Sequence, residues 1–410
     1  MKILTFSTLY PNAETPSHGI FVETRLRHLL ADFADLAAKV VAPVPWFPFA
    51  AKRFGHYAKF ARVPESEQRN GVSILHPRYL QLPKIGMNCA PQFLARASYP
   101  VLKKIIRDGF DFDLIDAHYY YPDGVAATLL GKWLNKPVIV TARGTDINLI
   151  PDFAAPRKMI LDASRNAAAS VTVSQGLKKR MVELGAAAEK IHVLRNGVDL
   201  TLFQPVDRVR IRAELGWQGK VLLSVGNLLE LKGHHLVIDA MRDLVEYRLV
   251  IIGSGKEEEK LRRQCHAANV ADRVEFIGSL AQNKLKTYYG AADALILASS
   301  REGWANVLLE SMACGTPVIA TRVGGNPEVV SCADAGILLP ERSAQSIAEG
   351  VCKLFSSYPD RNSTRRYAEQ FDWRETSVLQ MKLFERILSG SDEITDATKI
   401  RHAKLRLDRP

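Results

Sequence analysis

Short apolar runs alternate with stretches of helical periodicity along most of the chain. In the first half of the sequence the apolar runs occupy residues 2–6, 38–44, 114–116, 137–141 and 170–173. Runs of this length between helical segments are typical of buried strands in a parallel sheet. The first half is therefore predicted to form an α/β domain.

The second half repeats this rhythm, with apolar runs at residues 220–225, 248–252, 274–277, 294–298 and 317–320. A second α/β sheet is expected there. Between the halves, 196–199 (NGVD) and 203–205 (FQP) are turn-forming residues without a helical or strand period. We place the hinge in this stretch, with one domain over residues 1–199 and another over 200–373.

The end of the chain divides into a helical and an irregular part. Residues 374–388 have apolar positions at helical spacing, which predicts a helix over 374–390 that packs back toward the N-terminal domain. The following residues, 391–410, are basic and have no periodicity. They are predicted to form a disordered tail.

Composition restricts the class of protein. A chain of 410 residues that is 47% hydrophobic can form two cores of ordinary size. No run of 18 apolar residues occurs, and the apolar start at residues 1–6 is too short for a signal peptide. The five cysteines are an odd number without a C-x-x-C pair, which favours a reducing cytoplasm: Cys89, Cys265, Cys314, Cys332 and Cys352.

Positive charge is concentrated in the first half. The formal net charge is +11, and residues 1–200 contain 26 Lys and Arg against 17 Asp and Glu, or +9. Such an excess attracts nucleic acid, anionic lipid or phosphorylated substrates, and the count alone does not choose among them. Residues 43–63 combine six aromatic residues with four cations. One interpretation is loop packing, and the other is contact with an anionic membrane surface or a lipid-linked acceptor.

Residues 299–324 (SSREGWANVLLESMACGTPVIATRVG) contain the most informative pattern. A strand, a glycine turn, a helix over 305–313 and a second strand follow one another. Glu302 precedes the helix and Glu310 lies on it, while free backbone N–H groups at the helix start attract anions. A carboxylate beside an anion site suits a nucleotide sugar, which presents hydroxyls next to phosphates.

This stretch strongly resembles the signature of family 4 of the retaining GT-B glycosyltransferases. Five further segments occur in the order of that family: 224–240 (SVGNLLELKGHHLVIDA), 249–261 (LVIIGSGKEEEKL), 274–280 (VEFIGSL), 288–299 (YYGAADALILAS) and 323–330 (VGGNPEVV). The resemblance implies an α/β GT-B fold, with two Rossmann-like doubly wound domains facing a central cleft. It also implies a nucleotide diphosphate sugar as donor and no nucleic acid as partner.

The resemblance assigns roles to residues of the second half. Glu302 would bind hydroxyls of the donor sugar, Glu310 would bind the ribose, and Lys232 would neutralise the leaving phosphate. Lys232 and Glu302 are thus the expected catalytic residues. The diphosphate would bind at the start of the helix, at Gly303, Trp304, Ala305 and Asn306.

Two positions depart from the family pattern. Asn227 stands where the family has an arginine before the lysine, so one phosphate-binding cation is missing. It remains a donor-binding candidate through its amide. Arg143, in 140–148 (VTARGTDIN), stands where many members carry histidine. A histidine-based role therefore cannot be transferred to Arg143.

Four residues of the first half are candidates. Gly19 would let the backbone approach the donor diphosphate or the acceptor. Arg143 could hold an anionic acceptor or a donor phosphate, and Asp146 could accept from a sugar hydroxyl; the alternative is a local ion pair between them. His118 follows a strand whose carboxyl end faces the cleft, and local packing is its alternative.

The expected reaction needs no metal and no cofactor. His234 and His235 have no Cys or carboxylate partner at ligand spacing. The prediction also assumes that the chain has no Asp-x-Asp cluster, the device by which other glycosyltransferases hold a divalent cation on the diphosphate. The resemblance implies transfer with retention, and front-face displacement is the favoured route, since no nucleophilic carboxylate is evident in the first half. The pattern is most like bacterial enzymes of surface polysaccharide assembly that use a saccharide or lipid-linked acceptor, in the cytoplasm or at the inner face of its membrane. The alternatives are an epimerase of the same fold and a non-catalytic sugar-nucleotide binding protein.

Overall fold

The computed structural model describes residues 1–81 and 86–390, apart from the side chain of His56. The tail predicted for residues 391–410 lies outside the described residues. The strands are β1 Lys2–Phe6, β2 Ala37–Val41, β3 Val44–Pro45, β4 Ser66–Arg69, β5 Val72–Leu75, β6 Arg78–Tyr79, β7 Leu114–His118, β8 Val138–Ala142, β9 Ala169–Thr172, β10 Ile191–Val193, β11 Lys220–Val225, β12 Tyr247–Ile252, β13 Val274–Gly278, β14 Ala294–Leu297, β15 Val318–Thr321 and β16 Gly336–Leu339.

Helices separate most of these strands. They are α1 Ile20–Asp32, α2 His56–Arg62, α3 Ala90–Arg107, α4 Val125–Leu134, α5 Thr145–Asn148, α6 Ala154–Asn166, α7 Gln175–Glu183, α8 Arg208–Glu214, α9 His234–Ala240, α10 Glu258–Ala267, α11 Gln282–Ala291, α12 Asn306–Ala313, α13 Asn326–Val329, α14 Ala344–Ser356, α15 Arg361–Glu369 and α16 Trp373–Ser389. Among the described residues, no helix is long and apolar enough to span a bilayer.

Two large sheets organise the molecule. The first has eight strands in the order β10-β9-β8-β7-β1-β2-β5-β4, and all neighbours are parallel except β4 and β5. The second has six parallel strands in the order β13-β12-β11-β14-β15-β16. Every residue of β7 and β8 is buried, as expected for strands covered on both faces. The prediction of two parallel α/β domains is confirmed.

Most strands that the sequence pattern did not predict lack a long apolar run; β16 (GILL) is an apolar strand that the pattern missed. β4 (SEQR) is polar throughout, because it is an exposed antiparallel edge strand. β10 has three residues, and β3 and β6 pair as a separate two-stranded ribbon. Pairing with a neighbour, rather than hydrophobic periodicity, defines these short elements.

The chain crosses between the two sheets twice, and the crossings lie side by side. Val198 forms a parallel bridge with Asp372, and its N–H donates to the carbonyl of Phe371 at 2.8 Å. A Cβ on Gly197 would lie 2.6 Å from the backbone nitrogen of Trp373. Because no side chain would fit there, Gly197 lets the two crossings pack backbone to backbone.

Helix α16 packs on the N-terminal domain. Met381, Leu383 and Phe384 are buried in one cluster with Val22 and Leu26 of α1. The chain thus leaves the first domain, forms the second and returns to the first. The last helix therefore stabilises the domain that the chain built first.

We expect Phe384→Ala to destabilise the N-terminal domain. Phe384 is fully buried, and truncation of such a side chain costs about 3–5 kcal/mol of unfolding free energy. Urea denaturation followed by circular dichroism measures the shift in midpoint. Leu388→Ala on the same helix, at an exposed position, is the control and should change stability by about 0.5 kcal/mol or less. Equal midpoints for both variants would contradict the packing of α16.

Candidate active site

Loops at the carboxyl ends of strands from both sheets meet in the cleft. The Cα of Gly303, in the loop after β14, lies 3.0 Å from the position of a Cβ built on Gly144, in the loop after β8. A Cβ on Gly303 would overlap the carbonyl oxygen of Arg143. The start of α7 also touches the loop after β15, since a Cβ on Gly176 would lie 3.0 Å from the carbonyl oxygen of Gly324. Ligands of open α/β sheets bind at such carboxyl ends.

Lys232 and Glu302 form an ion pair beside this contact. The Nζ of Lys232 donates to Oε1 of Glu302 at 2.6 Å, and Oγ of Ser299 donates to the same oxygen at 2.7 Å. The two charged side chains are 23% and 11% exposed, so the pair is partly shielded from water. Among the described residues, none donates to Oε2 of Glu302. This oxygen is open to a ligand hydroxyl.

Gly233 fixes the position of Lys232. Lys232 ends a 3₁₀ turn, and Gly233 follows it with φ 74°, in the left-handed region. A Cβ at residue 233 would overlap the carbonyl oxygen of Ala298, which follows β14. Glycine therefore allows the lysine turn to lie directly against the strand that leads to Glu302.

Helix α12 begins next to Glu302 without a side-chain cap. Ala305 occupies the N-cap position, and no side chain of the described residues bonds to the free N–H groups there. Uncapped N–H groups at a helix start bind anions. Oδ1 of Asn306 accepts from Nδ2 of Asn196 at 3.2 Å, which joins this end of α12 to the interdomain crossing.

Glu310, on α12, is buried and has hydrogen-bond partners of its own. The hydroxyl of Tyr289 donates to its Oε2 at 3.0 Å, and Nε2 of Gln282 donates to its Oε1 at 3.3 Å. Burial raises the pKa of Glu310, although both hydrogen bonds lower it. Glu302 and Glu310 share no hydrogen-bond partner among the described residues, and their predicted roles at two parts of one donor stay predictions.

The remaining donor candidates surround the lysine and the cleft. Asn227 is exposed in the loop after β11, where a Cβ on its neighbour Gly226 would be 3.8 Å from Cδ of Lys232. Gly19 caps α1 with φ 65°, and a side chain there would overlap the carbonyl oxygen of Leu9. The indole of Trp304 faces the guanidinium of Arg195, whose Cζ is 5.9 Å from its ring centre. The indole Nε1 of Trp304 is buried without a hydrogen-bond partner among the described residues, and the diphosphate contact at Trp304 stays a prediction.

Arg143 and His118 are neighbours in a buried polar network. Nη2 of Arg143 lies 2.7 Å from Nδ1 of His118, and Nη1 donates to Oδ1 of Asn196 at 3.0 Å. A guanidinium only donates, so Nδ1 of His118 must accept and its proton must be on Nε2. That nitrogen lies 3.3 Å from Oδ2 of Asp116.

The network keeps Arg143 charged and His118 neutral. Burial lowers the pKa of His118 to about 4, which more than cancels the opposing effect of Asp116. Burial also lowers the pKa of Arg143 to about 9, which still leaves it protonated at neutral pH. His118 is fully enclosed, so local packing and positioning of Arg143 describe its place better than contact with an acceptor.

Asp146 shapes the loop that carries Arg143. Its carboxylate is fully buried and accepts from the backbone N–H groups of Tyr120 at 2.7 Å and Gly144 at 2.7 Å. The N–H of Arg143 is a third donor, at 3.1 Å. Among the described residues, the carboxylate forms no ion pair with the side chain of Arg143. Asp146 serves the turn as an acceptor for its amides, and its contact with a sugar hydroxyl stays a prediction.

Three polar residues of this region were missed by the sequence reasoning. Asn196 was interpreted only as part of the hinge. Gln380 of α16 donates to Oδ2 of Asp116 at 3.0 Å and accepts from Nε of Arg25 at 2.7 Å. Asp123 accepts from the N–H of Thr8 at 2.7 Å, and burial raises its pKa to about 7. Asp123 follows β7, a position that could have indicated it; nothing local indicated Gln380.

The metal prediction assumed that the chain has no Asp-x-Asp pair, and this premise was wrong, because Asp111 and Asp113 form one. They precede β7 and therefore lie at the amino end of the strand, away from the cleft. Asp111 pairs with Lys136 at 2.7 Å, and Asp113 accepts from the backbone N–H of Lys2. Among the described residues, no three His, Cys, Asp or Glu side chains are grouped to hold a metal ion.

Similarity to known proteins agrees with this fold and cleft. Residues 22–202 match the family described as Glycosyltransferase Family 4, and residues 207–371 match Glycosyl transferases group 1. A D-inositol 3-phosphate glycosyltransferase of Acidothermus cellulolyticus is 30% identical over 341 residues, which are 76% of each chain. A putative teichuronic acid biosynthesis glycosyltransferase, TuaC of Bacillus subtilis, is 28% identical over 86% of this chain and 89% of the relative.

Solved structures show the same architecture. Sucrose-phosphate synthase from Thermosynechococcus elongatus superposes with a TM-score of 0.77 at 19% identity, over 95% of this chain and 100% of that one. Anabaena HepE in complex with UDP-glucose gives a TM-score of 0.71 at 20% identity, over 95% and 100%. The two facing α/β domains define a GT-B glycosyltransferase. The chain belongs to family 4 of the group 1 glycosyltransferases.

We expect Gly303→Ala to open the cleft. The new methyl group would overlap the carbonyl oxygen of Arg143, a backbone atom that cannot rotate away, so the domains must separate. Small-angle scattering should show a larger radius of gyration, and catalytic turnover should fall. Gly176→Ala is the graded comparison, because its methyl group meets the opposite domain at 3.0 Å and needs a smaller shift. An unchanged radius for Gly303→Ala would contradict this contact.

Proposed function

We propose that the protein transfers a sugar, with retention and without a metal ion, from a nucleoside diphosphate sugar to a saccharide or lipid-linked acceptor. The proposal includes a place in surface polysaccharide or glycolipid synthesis. The observation that carries it is the Lys232–Glu302 ion pair beside the uncapped start of α12. A relative named for teichuronic acid biosynthesis and a fold neighbour solved with UDP-glucose support the substrate class.

Different residues would bind different parts of the donor. The N–H groups at Gly303–Asn306 and the ammonium of Lys232 would bind the diphosphate, since both present positive charge to the cleft. An ammonium has three N–H donors, so Lys232 can donate to a phosphate while it maintains its ion pair with Glu302. Oε2 of Glu302 would accept from hydroxyls of the sugar, and Glu310 from those of the ribose.

In the proposed step the bond between the anomeric carbon and the phosphate oxygen breaks as the acceptor oxygen bonds to the same face of that carbon. The departing phosphate oxygen takes the proton of the acceptor hydroxyl, so no separate base is needed. Negative charge grows on the phosphate, and fixed donors stabilise it more in the transition state than in the ground state. Lys232 and the α12 amides are therefore the main source of acceleration.

Arg143 would act from the opposite domain. Its guanidinium stays charged at neutral pH and is held by His118 and Asn196. In this position it would bind an anionic acceptor or a donor phosphate when the cleft is closed. Gly19, which has no side chain, would let the protein backbone approach the donor diphosphate or the acceptor. Domain closure assembles the two halves and excludes water.

Screening of nucleoside diphosphate sugars for nucleotide release, with EDTA present, tests this function. Release that increases with acceptor is expected, and Glu302→Ala, although folded, should lose nearly all of it. Donor binding without release would indicate a binding protein, and a changed sugar without acceptor would indicate an epimerase. Activity that returns only with Mn²⁺ would contradict metal independence.

We expect Lys232→Ala to lower kcat by about two orders of magnitude. Loss of a charged contact to the leaving group costs about 3 kcal/mol of transition-state stabilisation. Steady-state kinetics with the donor identified above measures the loss. Lys260→Ala, which removes an exposed lysine of α10, is the matched control and should leave kcat unchanged.

Asn227→Arg adds a sharper test, because residue 227 adjoins the stem of Lys232. It restores the arginine of the family pattern, should leave the otherwise unaltered enzyme active and should partly rescue Lys232→Ala. A rise in KM with unchanged kcat in Lys232→Ala would mean that the lysine only binds the donor.

A further inference from the structure

An exposed aromatic and basic surface lies on the N-terminal domain, outside the site described above. It is formed by residues 43–63, which we call the aromatic-basic segment. Three of its large apolar side chains are strongly exposed: Trp46 by 55%, Phe49 by 53% and Tyr57 by 44%. Soluble proteins rarely expose a group of large apolar side chains on one surface unless that surface binds a partner.

The rings form a cluster on the surface. Phe47 lies 5.7 Å from Phe54 and 5.6 Å from Tyr57, and Phe49 stacks on Phe54 at 5.0 Å between ring centres. The aromatic side chains thus contact one another while Phe49 and Tyr57 also face solvent. The loop-packing interpretation of this segment therefore does not account for these exposed rings.

Cations surround the cluster without any acidic residue inside the segment. Lys52, Arg53 and Lys59 are exposed, and the guanidinium of Arg53 lies 5.0 Å from the ring centre of Phe54. The sequence of residues 43–63 contains no Asp or Glu. Exposed rings with adjacent Lys and Arg are suited to the headgroup region of an anionic bilayer, because rings enter the interface while cations remain at the phosphates.

The segment is anchored firmly to its domain. Ala58 and Val63 are buried, and Nη1 of Arg78 in β6 donates to the carbonyl of Phe60. Arg62 pairs with Glu14 at 2.7 Å. Glu14 belongs to the loop between β1 and Gly19, so the segment contacts the loop that leads to the cleft.

The segment also starts at the cleft side of the sheet. It follows the carboxyl end of β2, and the carboxyl ends of parallel strands in this sheet face the second domain. A flat partner bound to the segment would therefore lie near the cleft opening.

We propose that the aromatic-basic segment docks the protein on an anionic phospholipid bilayer, with Trp46 and Phe49 inserted among the headgroups. The inference goes beyond the proposed function and does not depend on it. Docking at this place would give the cleft access to an acceptor anchored in the membrane.

Sedimentation of the full-length protein with vesicles tests the proposal. Vesicles of phosphatidylglycerol and phosphatidylcholine should bind it in low salt, vesicles of phosphatidylcholine alone should bind it at least tenfold more weakly, and high salt should release it. Trp46→Ser with Phe49→Ser should weaken binding tenfold or more. The matched control, Trp133→Ser with Val245→Ser, removes two other exposed apolar side chains and should bind normally.

The position of Trp46 provides a second readout. Brominated lipids should quench tryptophan fluorescence of the bound protein, and Trp46→Phe should remove most of this quenching while binding persists. Nucleotide release by Trp46→Ser with Phe49→Ser on a soluble acceptor should be normal, which separates docking from catalysis. Unchanged vesicle binding by this double variant would overturn the proposal, because another part of the chain would then carry the binding.

Discussion

Contact between two backbones, at Gly144 and Gly303, determines how closely the domains approach. A side chain at residue 303 would overlap the carbonyl oxygen of Arg143, and Gly176, at the start of α7, approaches the backbone of Gly324 closely in a second contact. Where no side chain intervenes, the carboxyl ends of the two sheets come together. The Glu302 turn and the Arg143 loop thereby share one cleft, although 159 positions separate these two residues in the sequence.

A buried polar network accompanies this contact. From Arg25 it runs through Gln380, Asp116 and His118 to Arg143, and then through Asn196 to Asn306 at the start of α12. Burial of a guanidinium is costly unless its donors have partners, which the network provides for both terminal nitrogens of Arg143. The last helix, the first domain and α12 are therefore linked by hydrogen bonds.

This linkage gives the C-terminal helix α16 a role beyond packing. Its apolar face completes the core of the N-terminal domain, and its Gln380 lies between Arg25 and Asp116. A helix that follows the second domain thus orients the partners of an arginine in the first. In the proposed reaction, the same helix would hold the acceptor side of the cleft in register with the donor side.

The sequence alone determined the fold class and the long buried strands, because apolar runs between helical segments record burial on both faces of a sheet. The Glu302 motif and Lys232 were also evident locally, as were the substitutions at Asn227 and Arg143. Only the tertiary structure decided that Lys232 pairs with Glu302, that Asp146 binds backbone amides, and that Gln380 reaches Asp116. These partners are far apart in the chain or depend on the direction of a side chain, and hydrophobic periodicity contains no information about either.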